Sequence, residues 1–171
     1  VVTRGDGMPW YTGPSIIEVL DTIDVSHDQQ LADLRLPVQY VSRPDASFRG
    51  FAGTVVSGSV ERGDRIRVQP SGRESRVARI VTADGDLPVA VAGQSVTLTL
   101  ADEIDVSRGN VISRAESPAE VADQFEATLV WMAEEPMFPG RAYLLKIGTE
   151  TVTATITQPK YKLNVNTLEH L

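Results

Sequence analysis

The 171-residue sequence predicts an all-β fold: a closed β-barrel entered through one short helix and followed by part of a second barrel. Three observations carry that expectation. After Pro37 apolar residues recur at every second position in short runs, the period of half-buried strands. Turn-forming tetrads separate the runs at short intervals. Closure into a barrel also leaves few open edges, which suits many short strands.

Taken in order, the first element is helical. Ser15 and Glu18 have the spacing of a capping box, and Ile16, Leu20 and Ile23 then share one face of a helix over about residues 16–23. A helix below ~12 residues is marginal alone in water, so this apolar face is expected to dock. Trp10 and Tyr11, between Pro9 and Pro14, are expected to pack against the barrel rather than to stack on a ligand.

The strand runs follow. "PVQYV" alternates; "DRIRVQP" puts Ile66 and Val68 on one face; "ESRVARIV" does so with Val77 and either Ile80 or Val81; "QSVTLTL" with Val96, Leu98 and Leu100. Turns are expected at Glu61–Asp64, Pro70–Arg73, Ala83–Asp86 and Ser107–Asn110. "SRAESPAEVAD", Ser113 to Asp123, reads as a linker. Beyond it at most four strands are expected, among them "QFEATLVWM", "AYLLKIG" and "TVTATIT", too few for an independent barrel. Exposed strand edges are expected there, met by disorder or by pairing with another copy.

Composition excludes several function classes. The 42% hydrophobic content fits a folded chain, and neither a spanning segment nor a signal-peptide pattern is present, so the reading is cytoplasmic with no membrane partner. Without cysteine there are no disulfides, thiolate metal sites or cysteine nucleophiles. His27 and His170 are isolated, which argues against a histidine metal site or a catalytic base. The acids of "ADEIDVSRG" lack a calcium-loop pattern, and Glu134 and Glu135 before Pro136 read as a loop. No catalytic, cofactor-binding or metal-ligating residue is assigned.

Charge is uneven. A net charge of −7 opposes nonspecific nucleic-acid binding. Yet residues 43–79 hold eight arginines against four acids, whereas residues 80–171 hold six basic and thirteen acidic residues. Arginines alternating with apolar residues, such as Arg65 and Arg67 beside Ile66 and Val68, form either a solvated face or a surface for an anionic partner. Arg49, Phe51, Arg65 and Arg67 are the candidate interface residues.

The stretch "FRGFAGTVVSGSVERGD", Phe48 to Asp64, raises the question of a phosphate-cradling loop. It lacks the lysine and the following helix that such a loop requires, and it contains no G-x-G-x-x-G. The strand reading has Gly50 and Gly53 at a bulge or tight bend, "TVVSGSV" as a strand with Gly58 at a close approach, and "ERGD" as a turn.

With these residues in view, the section from "LPVQYVSRP" to "SRGNVIS" resembles the second, β-barrel domain of translation-factor-type GTPases. The shared marks are the glycine-threonine entry to a strand, "G.V..GD.I.V.P", "AGQ.V.L.L" and the "RGNV" ending. "MPWYTGPSIIEVLD" resembles the segment joining the GTPase domain to that barrel. "FRGFAGTVVSGSV", "ADEIDVSRGNV" and above all "ADQFEATLVWMAEEPMFPGRAYLLKIG" resemble the GTPase subunit of bacterial sulfate adenylyltransferase, in some bacteria fused to adenylylsulfate kinase.

The resemblance implies an elongation-factor-Tu-like domain II barrel over residues 34–115. A linker and helix over 1–33 follow an absent GTPase domain, and residues 116–171 are the start of a domain III barrel. It implies a non-catalytic part of a sulfate-activating complex that makes adenylylsulfate and pyrophosphate from ATP and sulfate, coupled to GTP hydrolysis. GTP and magnesium belong to the parent protein and no cofactor to this section. The implied partners are the parent's own GTPase domain and the separate catalytic subunit, with self-association through the incomplete domain III. The competing reading is an elongation factor whose barrels contact aminoacyl-tRNA; it expects a basic groove across both barrels, against the acidic balance after Ile80.

Overall fold

The computed structural model describes residues 7, 10–23, 32–164, 166, 167 and 169; His27 and His170 lie outside them. The helix forms as its capping box dictates. α1 spans Ile16–Thr22, with Glu18 N donating to Ser15 Oγ (3.2 Å) and Ser15 N donating to the Glu18 carboxylate (2.6 Å). Its expected docking is not found: no α1 residue is buried, and Leu20 is 65% exposed. Trp10 and Tyr11 are likewise exposed rather than buried. They meet each other edge-to-face at 6.1 Å, and the Tyr11 hydroxyl donates to Pro14 O (2.8 Å).

Ten short strands follow between Leu36 and Arg114: β1 (Leu36–Pro37), β2 (Tyr40–Asp45), β3 (Phe48–Thr54), β4 (Ser59–Glu61), β5 (Arg65–Gln69), β6 (Arg73–Thr82), β7 (Gly85–Leu87), β8 (Val89–Val91), β9 (Ser95–Leu100) and β10 (Val111–Arg114). The main sheet runs β1-β10-β5-β6-β9-β3-β2, with β7 on β6, and all its pairings are antiparallel. Its first and last strands are neighbours in sequence. Between them Val38 N donates to Asn110 O (2.8 Å) beside β10, while Gln39 N donates to Ala52 O (2.8 Å) on β3. Two successive amides thus stitch opposite ends of the sheet together and close it. β4 and β8 form a separate ribbon that gives Val60 and Ala90 to the same core.

That core is drawn from nearly every strand: Leu36, Phe51, Ile66, Val68, Val77, Ile80, Val96, Leu98 and Ile112 are buried. Each such side chain contributes roughly 1.5–3 kcal/mol by leaving water. The choice between Ile80 and Val81 is settled by a register shift between Val77 and Arg79 on β6. The extra residue turns Ile80 inward, fully buried, and leaves Val81 half-buried.

All four expected turns form, with Gly63, Gly72, Gly85 and Gly109 at positive φ. The stretch from Phe48 differs from expectation in two ways. Gly50 and Gly53 sit inside a regular strand and serve close approach: a methyl on Gly50 would lie 2.5 Å from Thr97 Cγ2. The irregularity is on the partner strand, between Ser42 and Asp45. "TVVSGSV" is not one strand either, because β3 ends at Thr54 and β4 starts at Ser59. Between them Gly58 (φ +72°) passes so close to the chain at Ala32–Leu34 that a methyl would lie 2.6 Å from Ala32 O and Leu34 N.

Ser113 belongs to β10 rather than to a linker, and it is fully buried. Its hydroxyl donates to Arg67 O (3.2 Å) and accepts from Ala119 N (3.2 Å). Past Ala115 no described residue is buried. Two strands form there, β11 (Ala142–Ile147) and β12 (Glu150–Thr155), joined as a hairpin whose outer edges are unpaired among the described residues. "QFEATLVWM" forms no strand: its residues are all exposed, and its backbone has no ladder to join. Trp131 instead meets Tyr143 edge-to-face at 5.5 Å and donates to Glu135 O.

Gly58→Ala combines a positive φ with a backbone collision and is expected to destabilise the barrel by roughly 3 kcal/mol or more. Gly85→Ala faces open space and costs roughly 1 kcal/mol. Urea midpoints of the two variants check this ordering.

Candidate functional site

The phosphate question is answered by the backbone. A cradle needs free N–H groups converging on one point. In this stretch Gly50 to Thr54 are laddered to β9, Val55 N donates to Gln94 O (2.9 Å), Val56 N to Arg35 O (2.8 Å) and Gly63 N to Val77 O (2.8 Å). Glu61 N is taken by the Asp64 carboxylate (2.9 Å). These residues do not fit a nucleotide phosphate. Among the described residues no three His, Asp or Glu side chains gather where they could hold a metal ion.

The four interface candidates separate into two places. Arg65 and Arg67 stand on β5; Arg49 and Phe51 stand on β3, with β6 and β9 between the two strands. On β5, Glu74 of β6 lies opposite Arg67 and binds both arginines, at 2.8 Å from Arg65 Nη2 and 3.1 Å from Arg67 Nε. Glu116 adds a longer pairing to Arg65 (3.8 Å). The Arg67 and then the Arg65 hydrogen bonds hold the Glu74 carboxyl below its ordinary range. Arg65 and Arg67 therefore already share one carboxylate inside the hairpin.

Arg49 lies differently. Its guanidinium sits 5.6 Å from the centre of the Phe51 ring and 3.8 Å from Asp105. Phe51 itself is 2% exposed, so it supports Arg49 from beneath and presents almost nothing to a partner. Beside it the β2–β3 turn and the end of β9 enclose a cleft of about 240 Å³, lined by Arg43, Phe48, Arg49, Arg79, Asp102 and Glu103 among others.

The cleft's walls are held by short-range chemistry. Asp45 accepts from Ser47 Oγ (2.6 Å), Ser47 N (2.8 Å) and Phe48 N (3.1 Å), fixing the turn that carries Phe48. Those bonds, the Ser47 hydroxyl first, lower its carboxyl pKa. Ser75 Oγ donates to Asp102 (2.8 Å) and accepts from Asp102 N (3.2 Å), pinning the acidic lip. Arg79 is clasped by both oxygens of Asp86, at 2.7 and 2.9 Å, which lowers the Asp86 carboxyl and raises the arginine. Sequence reasoning named Arg49 but missed Arg43, Phe48 and Arg79 beside it. The available signal was the Asp45–Ser47 turn motif, which brings Arg43 and Phe48 to one hairpin end.

Comparison with known proteins gives this surface a context. The family described as elongation factor Tu domain 2 matches residues 52–113, and the one described as GTP-eEF1A C-terminal domain-like matches residues 124–171. The fold is that of the crystal structure of sup35 complexed with GMPPNP, at a TM-score of 0.67 and 19% identity, covering 95% of this chain and 40% of that one. Sulfate adenylyltransferase subunit 1 of Laribacter hongkongensis is 51% identical over 170 residues, and that of Saccharophagus degradans 48%, each across 99% of this chain. The chain is homologous along its whole length to part of sulfate adenylyltransferase subunit 1. It spans 35% and 36% of the length of those two relatives. The likeness to subunit 1 includes the section after Ala115, and the barrel carries the match to elongation factor Tu domain 2. None of the described helices is long and apolar enough to cross a membrane.

Because Glu74 has a lowered pKa when folded, its contribution to stability is full above the ordinary carboxylate range and lost as pH falls through the lowered value. Glu74→Gln is therefore expected to lower the urea midpoint at about pH 7 and to converge with the parent as pH falls below the lowered Glu74 value. Urea titrations across that range test it.

Proposed function

We propose that this chain is the non-catalytic barrel region of the GTPase subunit of a cytoplasmic sulfate adenylyltransferase. Residues 1–33 lead from a GTPase domain, 34–115 form domain II and 116–171 begin domain III. The single observation that carries this reading is identity of 48–51% to subunit 1 across 99% of the chain. In this reading GTP and magnesium serve the preceding domain, and the parent complex converts ATP and sulfate to adenylylsulfate and pyrophosphate. The barrel is a platform between that domain and the catalytic subunit, through which a nucleotide-dependent change is transmitted.

The platform's contact is proposed at Arg49, propped by Phe51 and flanked by Arg43 and Phe48, with Arg65 and Arg67 as a second, weaker contact. Arg43 and Arg49 stand beside a concave surface, whereas Arg65 and Arg67 already share Glu74. An acidic patch of the catalytic subunit suits the first site. The uncovered apolar side chains past Ala115, Leu144 at 79% exposure among them, pair with another copy when no partner covers them. Sedimentation over a range of concentrations is expected to show a species larger than a monomer.

Binding to purified catalytic subunit, measured by calorimetry, is expected, with Arg49→Glu weakening it roughly ten-fold and Arg65→Glu/Arg67→Glu less. Capture of aminoacyl-tRNA instead of that subunit would overturn the reading. Affinity unchanged by either variant would return the arginines to a solvated face.

A further inference from the structure

The hairpin β11–β12 poses a physical problem. A lone two-stranded hairpin is marginal in water, and none of its residues is buried. Among the described residues its strands pair only with each other: Tyr143 opposes Ala154, Leu145 opposes Val152 and Ile147 opposes Glu150 across a two-residue turn, Gly148–Thr149. That turn and Glu150 beside it touch the barrel.

The contact falls on the barrel's closing stitch. Thr149 Oγ1 donates to Val38 O (2.8 Å), the carbonyl that also accepts Gly109 N (3.0 Å) as the sheet closes. Gly148, at φ +58°, lies over Pro37, where an added methyl would sit 3.4 Å from Pro37 Cβ. The Glu150 carboxylate lies against Gly109, in the space a side chain there would need. A second tie holds the connection between the two units: Arg35 Nη1 donates to Ser117 O (2.9 Å) and to Leu34 O (2.7 Å).

We propose that the Gly148–Thr149 turn is a latch on the Val38 seam, so that the hairpin is ordered only while the barrel is closed. Both units bias one carbonyl, and coupling of that kind acts in both directions. Thr149 is a positioning residue in this device. Its hydroxyl sets where the second unit stands, and the barrel's closure sets whether it stands at all.

Hydrogen exchange on the full chain tests this, reading residues 142–155 against β6 and β9. Loss of one hydrogen bond corresponds to roughly five-fold. Thr149→Val is expected to speed hairpin exchange about that much and exchange of β6 and β9 by no more than the same factor, as reciprocal coupling requires, and Thr149→Ser to restore the parent rate. Leu98→Ala, which loosens the barrel core, is expected to raise hairpin and barrel exchange together. The proposal is overturned by any of three results. These are hairpin exchange insensitive to Thr149→Val, a Thr149→Ser variant no better than valine, or a hairpin that keeps its protection while the Leu98→Ala barrel opens.

Discussion

The rest of the structure depends on the peptide unit between Val38 and Gln39. An eight-stranded sheet whose path ends in two open edges would expose two rows of unpaired amides and carbonyls. Here the chain carries the sheet's first strand directly into its last, so one short connection ties the two ends of the sheet together. The glycines nearest that connection follow from it. Gly53 has no side chain because Leu36 and Pro37 cross over it, and Gly109 turns the chain back toward Val38. Burial of Leu36, Val38 and Ile112 beside the seam is the apolar part of the same arrangement.

The fold was legible where a local rule acts alone. Ser15 with Glu18 gave the helix start, four glycine-bearing tetrads gave four turns, and Ile66, Val68, Val96 and Leu98 gave inward faces by simple alternation. It was illegible where a distant segment decides. Whether Ile80 or Val81 faces inward depends on a bulge set by pairing with β9, and the break at Val55–Gly58 depends on the chain at Ala32–Leu34 passing across it. Alternation in "QFEATLVWM" described a willing strand. A strand exists only with a ladder beside it, and no described neighbour supplies one.

The candidate site shows the same division. Counting arginines located a basic stretch but could not tell which charges are free, because pairing across β5 and β6 spends Arg65 and Arg67 on Glu74, and a turn spends Arg79 on Asp86. Phe51 looked like a contact residue by its place beside Arg49. Strand alternation around the glycines puts it in the core, where its ring face supports the guanidinium above. Electrostatics near a surface is thus decided by partners that topology selects, and composition reports only the sum.

The bulge on β6 has a consequence of its own. A strand of ten residues with unbroken alternation would show one pattern of faces from end to end, and its outward arginines would form a single line. The added residue shifts the phase midway, so β6 behaves as two half-strands with different audiences. The first half offers Glu74 to the arginines of β5, and the second swings Arg79 to the rim of the cleft beside Arg49. One irregular residue divides the barrel's outer wall into two electrostatic territories, and a partner reading one of them need not disturb the other.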